Sequence, residues 1–183
     1  MLRVLRAWLA ERVLAAHHRG DVRVVVGRAG ELFGPGVESV LARNLFAAAL
    51  GGRNARWFGR LDQPLTPMFI DDFARGLITL AEQADAHGAV WHVPHPDPLS
   101  GRALVDMIFA AAGTRPRVTP LGTTAVRALG LVSSLARAGA EMVYQFEMPF
   151  VVDGSRFLRA FGAKTTPVDE AVAVTLNWYR TNR

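Results

Sequence analysis

The stretch 22–36 constrains this chain more than any other. Val22, Val24, Val25 and Val26 make a β-branched run, which suits a strand buried on both faces, as in a parallel sheet. The run leads into Gly27-Arg28-Ala29-Gly30-Glu31-Leu32-Phe33 and the turn Gly34-Pro35-Gly36, which bends the chain toward a helix. A buried strand, a glycine-rich loop and a helix in that order build an open α/β sheet. Ahead of this unit there is room for one helix. Leu2, Leu5, Leu9, Val13 and Leu14 recur at helical spacing over 2–18, and Gly20 ends the pattern.

Composition removes several function classes. The chain has 183 residues, enough for one compact domain, with 50% hydrophobic and 20% charged residues. The formal net charge is +5, and the single lysine, Lys164, stands against 20 arginines. These arginines are scattered along the sequence, with Arg53, Arg56 and Arg60 in one loop. A nucleic-acid binder concentrates them with stacking aromatics between, so no nucleic-acid partner is expected. Cysteine is absent, which excludes disulfides, thiolate catalysis and cysteine-held metals. No run is long enough to cross a bilayer, and the first residues lack the apolar core of a signal peptide. A cytoplasmic protein without a membrane partner is the expectation.

Further along, helices are predicted over 39–50, closed by Gly51-Gly52, and after Asp71-Asp72, with Phe73, Leu77, Leu80 and Ala84 as the inner face. Those two carboxylates suit a helix N-terminus. Segment 53–67 reads as irregular, 68–70 and 89–93 as strands, and Ser100 as the cap of a helix closed by Gly113, with Leu104, Ile108 and Ala111 inward. Residues 123–147 are apolar and alanine-rich, and a short helix runs from Asp153 to Gly162. Thr166-Pro167 starts a last helix that turns Val168, Val172, Leu176 and Tyr179 to the core. Elements alternate early and become helical late.

Three ordered segments carry a resemblance. They are Val24-Val25-Val26-Gly27-Arg28-Ala29-Gly30-Glu31-Leu32-Phe33-Gly34-Pro35-Gly36, then Phe69-Ile70-Asp71-Asp72-Phe73-Ala74-Arg75-Gly76-Leu77, then Val90-Trp91-His92-Val93-Pro94. Essentially end to end, the chain resembles the C-terminal half of extended short-chain dehydrogenases/reductases, and more narrowly the NAD-dependent epimerase/dehydratase-like proteins. The resemblance implies a Rossmann sheet whose glycine-rich turn brings a dinucleotide pyrophosphate to a helix N-terminus. It also implies a tyrosine four residues before a lysine, the cation lowering the phenol's pKa. Neither is present in this sequence. The places for that pair fall at Arg3 and Ala7 on the helix 2–18, and Arg6, one position off, stays protonated.

What the resemblance leaves is one wall of a site. It assigns the backbone of Ala29 and Gly30 to the nicotinamide end of NAD or NADP, with Ala29 in place of the usual proline. Glu31 stands where a small polar residue or asparagine is usual, Phe33 lines the pocket, and the loop 57–64, with Phe58 and Arg60, covers a small-molecule substrate. Thr66-Pro67 occupies the stretch where sugar-nucleotide enzymes carry a phosphate-holding arginine, which disfavours such a substrate unless Arg53, Arg56 or Arg60 compensates.

The bland readings compete. Asp71-Asp72 caps a helix more readily than it holds a metal, His92 and His95 have no third ligand forced on them, and Ser133-Ser134 lacks a partnered base. No metal site and no catalytic residue are therefore assigned.

The expected fold is α/β: a partial Rossmann-type parallel sheet carrying a mostly helical substrate-binding lobe, in a single domain over 1–183. The expected function is the substrate-binding portion of an NAD(P)-dependent epimerase/dehydratase or oxidoreductase, inactive alone because the glycine-rich turn and the Tyr-x-x-x-Lys pair are absent from these residues. The alternative is a non-catalytic interaction module of the same fold, a homo-oligomer or a partner covering the sheet edge left bare.

Overall fold

The computed structural model describes residues 2–37, 39–122 and 143–182, so the apolar segment expected over 123–147 lies largely outside the described residues. The chain forms two compact units, the first from Met1–Ala29, Asp71–Pro94 and Val152–Thr165, the second from Gly30–Ile70, His95–Val151 and Thr166–Arg183. The fold is α/β, with short parallel strand pairs.

The first unit contains helix α1 (Leu2–His18), strand β1 (Val26–Arg28), nearly all of helix α3 (Ile70–Glu82), strand β6 (Val90–His92) and helix α5 (Ser155–Phe161). β1 and β6 run parallel with Val26 opposite Val90 and Arg28 opposite His92. The ladder sits later than the valine run predicts. Val24 and Val25 are only partly buried and Val22 is exposed, because β1 has one hydrogen-bonded neighbour among the described residues.

Two glycines set how closely α3 lies on this pair. A Cβ on Gly76 would stand 2.3 Å from Val93 Cγ1, and one on Gly27 would stand 2.5 Å from Leu77 Cδ2. The buried face of α3 is therefore Asp72, Gly76 and Leu80, whereas Leu77 and Ala84 are exposed. The expected face Phe73-Leu77-Leu80-Ala84 is rotated, since the backbone approaches where side-chain bulk is least. Arg75 reaches back to the buried Asp72 carboxylate, so both acids at 71–72 open the helix as predicted.

Trp91 of β6 packs with Phe157 and Phe161, and the Arg156 guanidinium lies 3.8 Å from the Trp91 ring. Helix α1 behaves differently along its length. Val13 and Leu14 are partly buried, whereas Leu5 and Leu9, expected on the same inner face, are more than half exposed.

The second unit holds strands β2 (Glu31–Phe33), β3 (Ala55–Phe58), β4 (Pro64–Leu65), β5 (Pro67–Phe69), β7 (Leu99–Ser100) and β8 (Val118–Leu121), with helices α2 (Val40–Leu50), α4 (Gly101–Ala112) and α6 (Val168–Thr181). β2 pairs with β5 and β3 with β8, both parallel, while β4 and β7 are antiparallel. The segment expected to be irregular thus carries two short strands, β3 and β4, the strand expected at 68–70 is β5, and β8 was not anticipated. Their partners lie far away in sequence, and arginines and prolines mask strands of two to four residues.

The helices follow their punctuation. The Ser100 hydroxyl accepts from Ala103 N at 3.1 Å, and Gly113 ends α4 in the left-handed region at φ 74°. Leu104 and Ile108 point inward with Val105 and Phe109, but Ala111 is exposed. On α6 Val172 and Leu176 are buried and Val168 and Tyr179 pack on the core. Pro167 occupies the capping position, so the helix starts one place later than predicted.

The Gly76 contact yields a test. Gly76→Ala forces its methyl into Val93, and overpacking of this kind costs about 2 kcal/mol. Urea unfolding should show that loss, and adding Val93→Ala should recover part of it; equal losses in the single and double variants would contradict the close approach.

Candidate functional site

β2 is held by β5 through the register Glu31 opposite Pro67, Leu32 opposite Met68 and Phe33 opposite Phe69. Glu31 N donates to Thr66 O at 2.9 Å. A Cβ on Gly30 would stand 2.4 Å from that same carbonyl oxygen, so only glycine allows the strand to enter here. Gly34 follows at φ 140°, with Ile70 Cγ2 2.4 Å from where a Cβ would be. The glycines of this loop thus serve close backbone approach, a need for which their spacing is a fair signal.

Phe33 turns into the core. It stacks on Phe46 at 6.2 Å between ring centroids and tilts on Phe69 at 5.9 Å. Alternation along β2 places Glu31 on the same side, and the Ser39 hydroxyl donates to its Oε1 at 3.1 Å. Burial pushes the Glu31 carboxyl up, and the bond from Ser39 opposes part of that rise. Glu31 and Phe33 line one small apolar cavity with Leu45, Phe46, Leu104 and Ile108, of about 10 Å³, enough for a single water. A carboxyl so placed can stay protonated above its ordinary range and donate a hydrogen bond or a proton.

Phe58 and Arg60 do not line that cavity. Phe58 is half-buried against the core. Arg60 N donates to Phe146 O at 2.8 Å and Trp57 Nε1 donates to Arg60 O at 3.1 Å, which fixes the loop backbone. Gly59 bends it at φ 73°, where a Cβ would lie 2.7 Å from Phe146 O. The Arg60 guanidinium closes on Asp62 through two bonds, Nε to Oδ1 at 3.0 Å and Nη2 to Oδ2 at 2.6 Å. That bond holds the Asp62 carboxyl down at about 2. The charge expected to meet substrate is already answered within the loop.

Ala29 is partly buried in the first unit and Gly30 opens the second. The donor set for a dinucleotide is thin. No glycine-rich turn of Rossmann spacing accompanies those two residues, and Tyr179 is stacked on Phe46 at 5.6 Å. The described residues alone do not make a cradle for NAD or NADP, and no hydride step is derived through them. Among these residues no group of three acidic, histidine or cysteine side chains could hold a metal, and no helix is long and apolar enough to cross a membrane.

Sequence reading missed Ser39 as the partner of Glu31, although its place before α2, eight residues on, was a usable signal. It also missed two clefts. In the first unit Arg75, Thr79, Val93, Phe157 and Lys164 line one of about 230 Å³; in the second, Arg43, Asn44, Arg53 and Asn54 line an open one of about 510 Å³.

No family model and no curated protein matches this sequence. Solved structures do. The dTDP-glucose 4,6-dehydratase of Streptomyces venezuelae, solved with NAD, superposes with a TM-score of 0.70 at 18% identity, covering 93% of this chain and 48% of that one. This chain has their fold over about half their length. The UDP-glucuronic acid 4-epimerase of Bacillus cereus, solved with UDP-glucuronic acid and NAD, gives 0.70 at 16% identity over 93% and 50% of the two chains. RMD from Pseudomonas aeruginosa, solved with NADPH, gives 0.68 at 15% over 92% and 52%. The structural neighbours are thus NAD-type epimerase/dehydratase enzymes, and the partial Rossmann-type α/β fold expected from the sequence is the fold observed.

The raised Glu31 carboxyl predicts a pH dependence with a definite sign. A group whose folded pKa lies above its unfolded one stabilises the fold fully below the unfolded value, and that contribution fades as pH rises through the folded value. Glu31→Gln should therefore be more stable than wild type at pH 7, the gap closing toward pH 4. Urea midpoints across that range check this; a constant gap would mean that the carboxyl is not buried as described.

Proposed function

We propose that this chain is the substrate-binding portion of an NAD(P)-dependent epimerase/dehydratase or oxidoreductase, the whole 1–183 belonging to one such domain. The observation that carries the reading is a Rossmann-type likeness over 93% of this chain and only 48% of a dinucleotide enzyme. The strand and loop at 26–36 supply the wall of the site. The backbone at Ala29 and Gly30 meets the nicotinamide end, while Glu31, Phe33, Phe58 and Arg60 face the substrate side. With Arg60 already bound to Asp62, the arrangement suits a neutral substrate better than an anionic one.

Taken alone, these residues are inactive in this reading, since neither a glycine-rich turn nor a Tyr-x-x-x-Lys pair is among them. The purified 183-residue chain should show no oxidation of NADH or NADPH, and the protein isolated from its native cell should be about twice this length, with both motifs ahead of residue 1. Turnover by the chain alone would remove the claim of inactivity, and a native mass of 19.9 kDa would remove the enzyme reading.

A second reading rests on α1. Val4, Leu5, Trp8 and Leu9 stand between 50% and 74% exposed, two i,i+4 pairs forming one apolar stripe. In this reading the chain is an interaction module, and the stripe together with the β1 edge pairs with a second copy. Sedimentation should then show a dimer that Leu5→Glu with Leu9→Glu converts to monomers without loss of helical circular dichroism. A monomeric wild type would exclude it.

A further inference from the structure

The second unit carries a cationic cleft that the proposed catalytic wall does not use. Helix α2 divides the two. Leu45 and Phe46 line the Glu31 cavity, whereas Arg43, Asn44, Ala47 and Ala48 line the open cleft of about 510 Å³ together with Arg53 and Asn54. At 3.6 residues per turn, 43, 44 and 47 fall on the side of α2 roughly opposite 45, 46 and 49.

Asn54, at the edge of the cleft, joins it to one face of the β3–β8 ribbon. Arg56 is opposite Thr119 in the parallel register, and Asn54 Nδ2 donates to Thr119 Oγ1 at 2.9 Å, so 54, 56 and 119 share a face. Alternation adds Arg117, whose carbonyl accepts from Ala55 N at 2.8 Å. Asn44 Nδ2 donates to Arg56 O, tying α2 to the ribbon. Arg43 and Arg53 line the cleft, Arg56 and Arg117 fall on the ribbon face that Asn54 links to it, and all four are exposed.

Charge is segregated here. No Asp or Glu occurs in 39–61 or in 107–140. Ion pairs of the described residues join Arg19 to Asp21, Arg60 to Asp62 and Arg75 to Asp72, and none involves Arg43, Arg53, Arg56 or Arg117. Arg53 has a local role as well, since it folds over Gly51 and donates from Nη2 to Ala47 O at 3.5 Å, at the end of α2. Among the described residues no side-chain bond of this kind holds the other three guanidinium groups.

From this we infer that the cleft is a binding site for a small phosphate-rich anion, a diphosphate group held by Arg43 and Arg53 in the cleft with Arg56 and Arg117 reached from the adjoining ribbon face. Guanidinium forks match phosphate oxygens two at a time, and the asparagine and threonine groups between them add hydrogen bonds. A concave shape suits a small ligand. Among the described residues no exposed large apolar or aromatic side chain lines the cleft, so they offer neither the anchors of a protein interface nor the stacking platforms of a single-strand binder. The inference is independent of the enzyme reading and involves no dinucleotide.

Calorimetric titration of the full chain with inorganic pyrophosphate tests it. The expected result is saturable one-to-one binding, weaker for inorganic phosphate. Arg43→Gln and Arg56→Gln should each weaken it about tenfold, the loss of one charge-assisted bond pair. Arg19→Gln, outside the cleft, should bind as wild type, and circular dichroism should show each variant folded. No saturable binding, or equal binding by the arginine variants, would overturn the site. So would tight, steeply salt-dependent binding of a short DNA duplex without binding of pyrophosphate, which would make the patch a backbone-docking surface instead.

Discussion

The second unit depends on a column of aromatic rings. Phe69 meets Phe33, Phe33 stacks on Phe46, and Phe46 stacks on Tyr179 with an interplanar angle of 4°. Each ring comes from a different element: β5, β2, α2 and α6. Such contacts add about 1 kcal/mol per pair beyond the area they bury, but their larger effect is geometric. The column fixes where β2 lies relative to α2, and hence that Ser39, just before α2, falls within reach of the Glu31 carboxyl. The parallel register of β2 with β5 supplies the other constraint, and Gly30 is what lets the strand enter beside the Thr66 carbonyl.

Given that frame, the two ionisable groups assigned to the substrate side differ sharply. Glu31 has a hydroxyl donor and an apolar surround, which favours the neutral acid. Arg60 is on an exposed turn and has its own carboxylate partner two residues away. In water such a pair is weak, yet it leaves the guanidinium with less to gain from an incoming anion. The side of the unit that faces Glu31 is therefore poor in free positive charge, and the side beyond α2 is rich in it.

How far the sequence foretold this follows from what each signal measures. Punctuation was readable: Ser100 and Gly113 bracket α4, and Asp71-Asp72 open α3, because capping is local chemistry. Burial faces were read less well. On α3 the hydrophobic residues proposed an inner face through Leu77, while the structure buries Gly76 and Asp72; glycine packing and a buried carboxylate paired with an exposed arginine leave no hydrophobic trace. Strands β3 and β8 escaped because each is a few residues long and finds its partner more than fifty positions away. Ala29, Gly30, Glu31 and Phe33 were singled out by resemblance alone, and the bond from Ser39 to Glu31 was passed over although the serine stands just before α2.

The arginines make the same point about distance. Along the sequence, 43, 53, 56 and 117 look like members of a scattered set, and scatter argues against an anionic partner. Parallel pairing of β3 with β8 folds 117 back beside 55, and the Asn44 amide draws α2 onto the strand that carries 56. Nothing about the individual residues changes; only the pairing does. A charge pattern read in one dimension counts neighbours that the chain separates and misses those the sheet creates, so the absence of acids from 39–61 and 107–140 becomes meaningful only once the ribbon puts those segments side by side.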